Sequence, residues 1–179
     1  MEHISPAKYS VQSGLVFGVI MILEFVIMYA IGMESLVGGP VGLIVNLLNF
    51  IFLPLFFIYT ACTGFKKNVN SGYISLSQCI KIGVSLLFIA GVIYGIFNVI
   101  FNLIFPDFID QMIDIVKSET IKKTPEITTE QLEVITGMQK KFMNLYIALP
   151  VTIAMYSFFG LIYGLIIGAI VKKDNPQSF

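Results

Sequence analysis

Four long apolar runs dominate the sequence, and they constrain its fold more than any other feature. A helix needs about 20 apolar residues to cross the roughly 30 Å of hydrocarbon in a bilayer. Runs of at least this length lie at about residues 11–31, 41–63, 76–105 and 142–171. They predict an all-α, polytopic integral membrane protein, with four transmembrane helices bundled in a single membrane domain over residues 1–179.

The first run could instead be read as a cleavable signal peptide. Its apolar stretch is longer than the core of about 7–15 residues that is typical of such peptides. We therefore expect an uncleaved first helix.

The lysines of the short segments predict how the chain is oriented. The loop after the first run carries one acid, Glu34, and no lysine. Lysines flank the other ends of the runs, at Lys8, Lys66, Lys67, Lys172 and Lys173. Because lysines in short loops favour the cytoplasmic side, both termini and the second loop are expected in the cytoplasm.

The long connection at about residues 106–141 carries a short amphipathic helix. Phe108, Met112 and Val116 recur at helical spacing, opposite Asp107 and Asp110. This helix could lie on the membrane surface or cap the bundle, and the sequence leaves both arrangements open. With Asp114, the two aspartates could hold a divalent cation, although a solvated helix face accounts for them better.

Two sequence patterns predict where helices begin. Ser75 with Gln78, and Thr128 with Gln131, have the spacing of a capping box, in which each side chain pairs with the other residue's backbone N–H. They place one helix start after the second loop and another within the long connection.

Glu24 stands near the middle of the first apolar run. A carboxylate at the bilayer centre costs about 2.5–3.5 kcal/mol on insertion scales, so it needs a partner, a proton or water. Counting along the four runs places a set of polar side chains at a similar depth, and these form a candidate cluster: Glu24, Asn46, Asn49, Asn98 and Tyr156. The cluster could be a proton, cation or polar-cavity site, or a structural contact in which a neutral Glu24 bonds to asparagines.

Glycines at four-residue spacing mark each run as a packing surface. Small residues allow helix backbones to approach closely in membranes. The candidate packing glycines are Gly14, Gly18, Gly91, Gly95, Gly160, Gly164 and Gly168. The sequence leaves open whether these glycines pack within the bundle or between two copies, and the three on the last helix are the best candidates for a dimer interface.

Several kinds of chemistry have no support in the sequence. The only histidine is His3, and Cys62 and Cys79 are expected to be free thiols, so no catalytic, metal-binding or cofactor-binding set is predicted. All 11 basic residues are lysines, and none forms a patch interleaved with aromatic residues, which argues against a nucleic-acid partner. We expect a protein that is not an enzyme and binds no cofactor.

Two segments suggest a family. "GFKKNVNSGYISLSQCIKIG" after an apolar helix, and the closing "FFGLIYGLIIGAIVKK", resemble the small bacterial membrane proteins of domain-of-unknown-function family 4199, which are typical of Bacteroidota. The resemblance implies four membrane spans, a bacterial inner-membrane location and no assigned activity. It carries over no site residue.

Two functions are therefore expected, of different classes. The first is a non-enzymatic interaction or assembly protein in the lipid bilayer, whose partner is a second copy or another membrane protein. The alternative is a small proton- or ion-coupled transporter or permease subunit that uses Glu24.

Overall fold

The protein is an all-helical bundle. The computed structural model describes residues 4–32, 34 and 39–175. Its helices are α1 (Pro6–Ile31), α2 (Gly39–Asn68), α3 (Leu76–Ile104), α4 (Phe108–Lys123), α5 (Thr129–Met143) and α6 (Leu145–Val171). Four of them, α1, α2, α3 and α6, are long and apolar enough to cross a membrane, which confirms the predicted spans.

The fourth span begins at Leu145, three residues later than predicted, because Asn144 interrupts the helix. The backbone of Asn144 is extended, with ψ 131°, and α5 ends there. Its side-chain oxygen accepts a hydrogen bond from the Tyr146 N–H at 3.0 Å, which caps the start of α6. Asparagine is a favoured N-cap, so this break had a sequence signal that the apolar pattern concealed.

Both predicted capping boxes are present. Ser75 and Gln78 open α3, and Thr128 and Gln131 open α5, with each reciprocal pair of hydrogen bonds formed. The two helices therefore begin where the sequence predicted.

Glycines bring α3 and α6 into backbone contact. A Cβ built on Gly160 would lie 2.5 Å from the carbonyl oxygen of Gly83, and one built on Gly164 would lie 2.9 Å from Cα of Ile80. Gly168 is likewise buried against α3. The glycine stripe of α6 is therefore used inside the bundle, which is one of the two roles that the sequence left open for it.

The other predicted packing glycines also lie within the bundle. Gly14 and Gly18 of α1 face Ile89 and Ile93 of α3. On the opposite side of α3, Gly91 and Gly95 face Tyr156 and Leu149 of α6. The central helix α3 thus packs closely against a neighbour on two sides.

One end of the bundle, which we call the lysine end, is joined by contacts between the second loop and the C-terminal segment. Ile74 and Lys173 exchange two backbone hydrogen bonds, of 3.0 and 2.9 Å. The Lys66 ammonium donates to the Val171 carbonyl at 2.7 Å. Nearby, Cys62 and Cys79 are buried free thiols. This end is closed by packing and hydrogen bonding together.

At the opposite end, α4 caps the bundle. Phe108, in the first turn of α4, is buried, and its ring centroid lies 5.1 Å from that of Phe101 in α3 and 5.8 Å from that of Phe25 in α1. Ile113, further along the same helix, is also buried. The start of α4 is therefore held against this end of the bundle, which favours the capping arrangement of the two that the sequence left open.

Candidate functional site

A cavity of about 310 Å³ lies in the half of the bundle away from the lysine end, and we call it the distal cavity. Helices α1, α2, α3 and α6 form its walls, α4 covers it, and the end of α5 touches it. Most of the residues that line it are apolar or aromatic. The polar side chains among them are Asn46, Asn49, Asn98, Thr152, Tyr94 and Tyr156.

The wall contributed by α2 is not a regular α-helix. Residues Leu48–Phe52 form a π-helical turn, in which the Leu53 N–H bonds to the carbonyl of Leu48. Pro54 follows, and because proline has no N–H, the carbonyl of Phe50 loses its normal partner four residues on. The hydroxyl of Tyr163 in α6 donates to that carbonyl instead.

This irregular turn has a consequence for the cavity. Single π-helical turns rotate the following residues out of the α-helical register and recur at functional sites. Here the turn contains Asn49 and Phe50, and both line the distal cavity. Pro54 indicated this irregular turn in the sequence. The prediction of the second span as a regular helix did not take it into account.

Glu24 is paired with Asn49. The Asn49 amide donates from Nδ2 to Oε2 of Glu24 at 2.6 Å, linking α1 to the π-helical turn of α2. Both side chains are half-buried. The bond supplies the partner that an intramembrane carboxyl requires.

The structure brings most of the predicted polar cluster together around the cavity. Asn46, Asn49, Asn98 and Tyr156 all line it. Glu24 does not, and it lies behind Asn49, one hydrogen bond away. Four members of the predicted cluster therefore line a cavity, and the fifth, Glu24, lies at its edge.

The asparagines of α3 bond within their own helix. Asn98 donates to the carbonyl of Tyr94 at 2.9 Å, and Asn102 donates to the carbonyl of Asn98 at 2.8 Å. Asn102 lines a smaller neighbouring cavity of about 160 Å³, and Asn98 lines both cavities. Among the described residues of this cluster, the hydrogen bond between Asn49 and Glu24 is therefore the one that joins two different helices.

One polar atom at the cavity is unsatisfied. The Oδ1 atom of Asn49 is buried and accepts no hydrogen bond from the residues that the structure describes. A buried acceptor without a partner costs about 1–3 kcal/mol.

Methionines form much of the apolar lining. Five of the chain's eight methionines contact the distal cavity: Met21, Met28, Met112, Met143 and Met155. Methionine is flexible and polarisable, and it adapts to ligands of varied shape. Sequence reasoning missed this set, because its members lie on four different helices and form no linear pattern.

The aspartates of α4 pair with lysines. Asp110 accepts a hydrogen bond from Lys140 of α5 at 2.6 Å, and Asp114 lies 3.8 Å from Lys117. Over residues 4–32, 34 and 39–175, no three His, Cys, Asp or Glu side chains are grouped as they would be to hold a metal. These pairs leave the aspartates as a solvated helix face that joins α4 to α5.

Four apolar spans around a small, mostly apolar cavity define a polytopic α-helical membrane protein. Residues 12–173 match the model of a family described as protein of unknown function, DUF4199. The match covers most of the chain, so the chain belongs to that family, as its resemblance implied. No curated protein and no solved structure gave a significant match.

Proposed function

We propose that this protein is a non-enzymatic assembly protein that pairs with a second copy of itself through α5. The observation that carries the proposal is an exposed stripe on α5 with an apolar centre and opposite charges at its two ends. The glycine stripes cannot serve this purpose, because they are used within the bundle.

Helix α5 has one face against the protein and one face free of it. Toward the bundle lie side chains that are buried or half-buried: Leu132, Thr136, Gln139 and Met143. At 3.6 residues per turn, the opposite face carries Glu130, Val134, Gly137, Met138 and Lys141, and all five are exposed. Val134 is 53% exposed and Met138 is 59% exposed, so the centre of this face is apolar.

The order of charges along this face suits antiparallel pairing with an identical helix. A two-fold axis at the level of Thr136, on the exposed face of α5 opposite that residue, would place Glu130 of one copy beside Lys141 of the other, at both ends of the contact. Val134 of each copy would then meet Met138 of the other, and Gly137, whose Cβ position is open, would permit close approach. The same surface would therefore complement itself.

Charge reversal tests this arrangement. Glu130→Lys should replace attraction by repulsion at both ends and weaken dimerisation roughly tenfold, because each exposed pair is worth up to about 1 kcal/mol. The double variant Glu130→Lys with Lys141→Glu should restore the dimer. The measurement is the monomer–dimer equilibrium in mild detergent, by light scattering.

The control is Glu133→Lys, which makes the same charge change on the same helix about a quarter-turn from the stripe. It should dimerise as wild type does. A monomeric wild type, or a double variant as weak as Glu130→Lys, would contradict pairing through this face.

We propose a location in a bacterial inner membrane with both termini in the cytoplasm, and the lysine end supports this orientation. It gathers Lys66, Lys172 and Lys173, with Lys173 packed over the ring of Tyr73 at 5.4 Å. By the positive-inside rule this end faces the cytoplasm. The distal cavity and α5 would then face the opposite side.

A second candidate, transport, is favoured by the distal cavity and by the hydrogen bond between Glu24 and Asn49. In this function the carboxyl of Glu24 would couple a proton or an ion to movement of a bound molecule. Transport requires that the cavity bind a ligand. A cavity that binds nothing would remove this candidate and leave the assembly proposal intact.

A further inference from the structure

We infer that α5 lies along the membrane surface, at the end of the bundle opposite the lysine end, and that one of its sides faces lipid. This side is formed by Ile135, Met138 and Phe142, and we call it the Phe142 side. Its partner is the boundary between the headgroups and the acyl chains of the bilayer. The inference concerns a side of α5 other than the face proposed to pair, so it applies to a monomer as well as to a dimer.

The Phe142 side is an exposed apolar stripe. At 3.6 residues per turn, Ile135, Met138 and Phe142 fall within about 60° of one another around the helix axis. All three are exposed. The stripe lies roughly a quarter-turn from the face that packs toward the bundle and roughly a quarter-turn from the pairing face, with Met138 where the two exposed surfaces meet.

The side of α5 opposite this stripe is charged. It carries Glu133 and Lys140, and both residues are exposed. Lys140 forms an ion pair of 2.6 Å with Asp110 of α4, while both side chains stay more than half exposed. A helix that is apolar along one side and charged along the other lies in the plane of the membrane interface, with its apolar side buried.

The connection to α6 holds α5 at the level of the membrane surface. Helix α5 ends at Met143 and the membrane span α6 begins at Leu145, so Asn144 alone separates them. The first exposed side chain of that span is Tyr146. Tyrosine is enriched where spans cross the membrane interface. The C-terminal end of α5, which includes Phe142, is therefore held at that interface.

Two sets of contacts direct the Phe142 side toward the spans. Phe142 lines the smaller cavity of about 160 Å³ together with Phe108 of α4 and Leu149 of α6. It also lines a groove of about 450 Å³ between α4 and α5, with Met112 and Val116 of α4. Met112 lines the distal cavity as well. The Phe142 side thus continues the underside of α4 outward, from the end of the bundle to the lipid around it.

Pairing through α5 is compatible with this placement. Two copies that are inserted in the same direction are related by an axis along the membrane normal. Helices that pair antiparallel about such an axis run across it, so they lie in the plane of the membrane. The Phe142 side of each copy would then face lipid, and the charged side of each copy would face water. Neither arrangement requires the other.

A single introduced tryptophan can measure which side of α5 meets lipid. The chain has no tryptophan of its own, so each variant carries one such fluorophore. The variants are Ile135→Trp and Phe142→Trp on the Phe142 side, and Glu133→Trp on the charged side as the matched control. Phe158→Trp, on the exposed surface of the span α6, is the reference for a site within the membrane. Each variant is measured in lipid nanodiscs, where both membrane faces are open, with lipids brominated near the headgroups or near the chain ends, and with aqueous iodide.

We expect bromine near the headgroups to quench Ile135→Trp and Phe142→Trp several-fold more than it quenches Glu133→Trp. The reason is that an interfacial helix buries its apolar side about 5–10 Å into the boundary between headgroups and acyl chains. Iodide should show the reverse order, and Phe158→Trp should be quenched most by bromine near the chain ends. The same order should hold when Glu130→Lys is added, because that change weakens pairing without altering the Phe142 side.

Three results would overturn the inference. Iodide quenching as strong at Phe142→Trp as at Glu133→Trp would place the Phe142 side in water. Weak quenching of Phe142→Trp by both reagents would mean that protein covers this side. Loss of the bromine quenching when Glu130→Lys is added would mean that the orientation of α5 comes from pairing and not from each copy alone. A protein that stays monomeric but keeps the expected order would support the lipid contact and reject only the proposed pairing.

Discussion

At the scale of single residues, Pro54 has effects on two helices. It removes the N–H that would normally bond to the carbonyl of Phe50 in α2, and the hydroxyl of Tyr163 in α6 donates to that carbonyl. In hydrocarbon an unpaired carbonyl has no water to bond to, so this bond fixes α6 to the irregular turn. The same turn places Asn49 beside Glu24.

Tyr163→Phe tests this dependence. Removing the hydroxyl should lower the free energy of unfolding by about 1 kcal/mol, the usual worth of a hydrogen bond between membrane helices. In a Pro54→Ala background the loss should be smaller, because alanine at this position supplies a backbone N–H to α2. The measurement is a double-mutant cycle from denaturant unfolding in mild detergent.

The control for this cycle is Tyr146→Phe, since Tyr146 is 90% exposed and the same change there should be neutral. An equal loss from Tyr163→Phe in both backgrounds would show that Pro54 does not create the need for the hydroxyl.

Glu24 shows how far a single residue can be interpreted from sequence. The free-energy cost of placing its carboxyl in a membrane predicted a polar partner. Asn49 was among the candidates because its position along the second apolar run lies at a similar depth. The cavity itself could not be predicted, since its lining comes from six helices and depends on the π-helical turn. The position of Glu24 behind the cavity lining depends on the same turn.

At the scale of helices, the sequence predicted more because the signals are local. Four apolar runs indicated the spans, and Ser75 and Thr128 indicated two helix starts. A glycine stripe, in contrast, predicts close packing without naming the helix that it meets. The stripe of α6 meets α3 within the same chain, which only the tertiary arrangement could decide.

Gly160→Ala tests the contact between α3 and α6. The added methyl group would lie 2.5 Å from the Gly83 carbonyl oxygen and 2.9 Å from Cα of Val84, and neither backbone atom can rotate away. The free energy of unfolding in detergent should fall by about 1–3 kcal/mol, the usual cost of overpacking.

The matched control is Gly137→Ala in α5, where an added Cβ has nothing within 4 Å. Measured at a protein concentration low enough to keep the protein monomeric, that variant should be unchanged, or stabilised by up to about 1 kcal/mol from helix propensity. Similar losses of unfolding free energy in both variants would contradict unusually close packing between α3 and α6.

At the scale of the whole molecule, the two ends of the bundle differ. The lysine end is closed by glycine contacts and by the pairing of Ile74 with Lys173. The opposite half holds the distal cavity beneath α4, and the connection beyond it presents the free face of α5. Close helix packing at one end is thus combined with a cavity and an exposed helix face at the other.

The most direct test of self-association is disulfide crosslinking of Gly137→Cys in native membranes. Gly137 is exposed and would lie next to the two-fold axis, while the native Cys62 and Cys79 are 0% exposed and should not react. Ser118→Cys, exposed on α4, is the control. We expect mild oxidation to convert most Gly137→Cys to a covalent dimer and to leave Ser118→Cys monomeric. Gly137→Cys that stays monomeric, or equal crosslinking of both variants, would contradict pairing through α5.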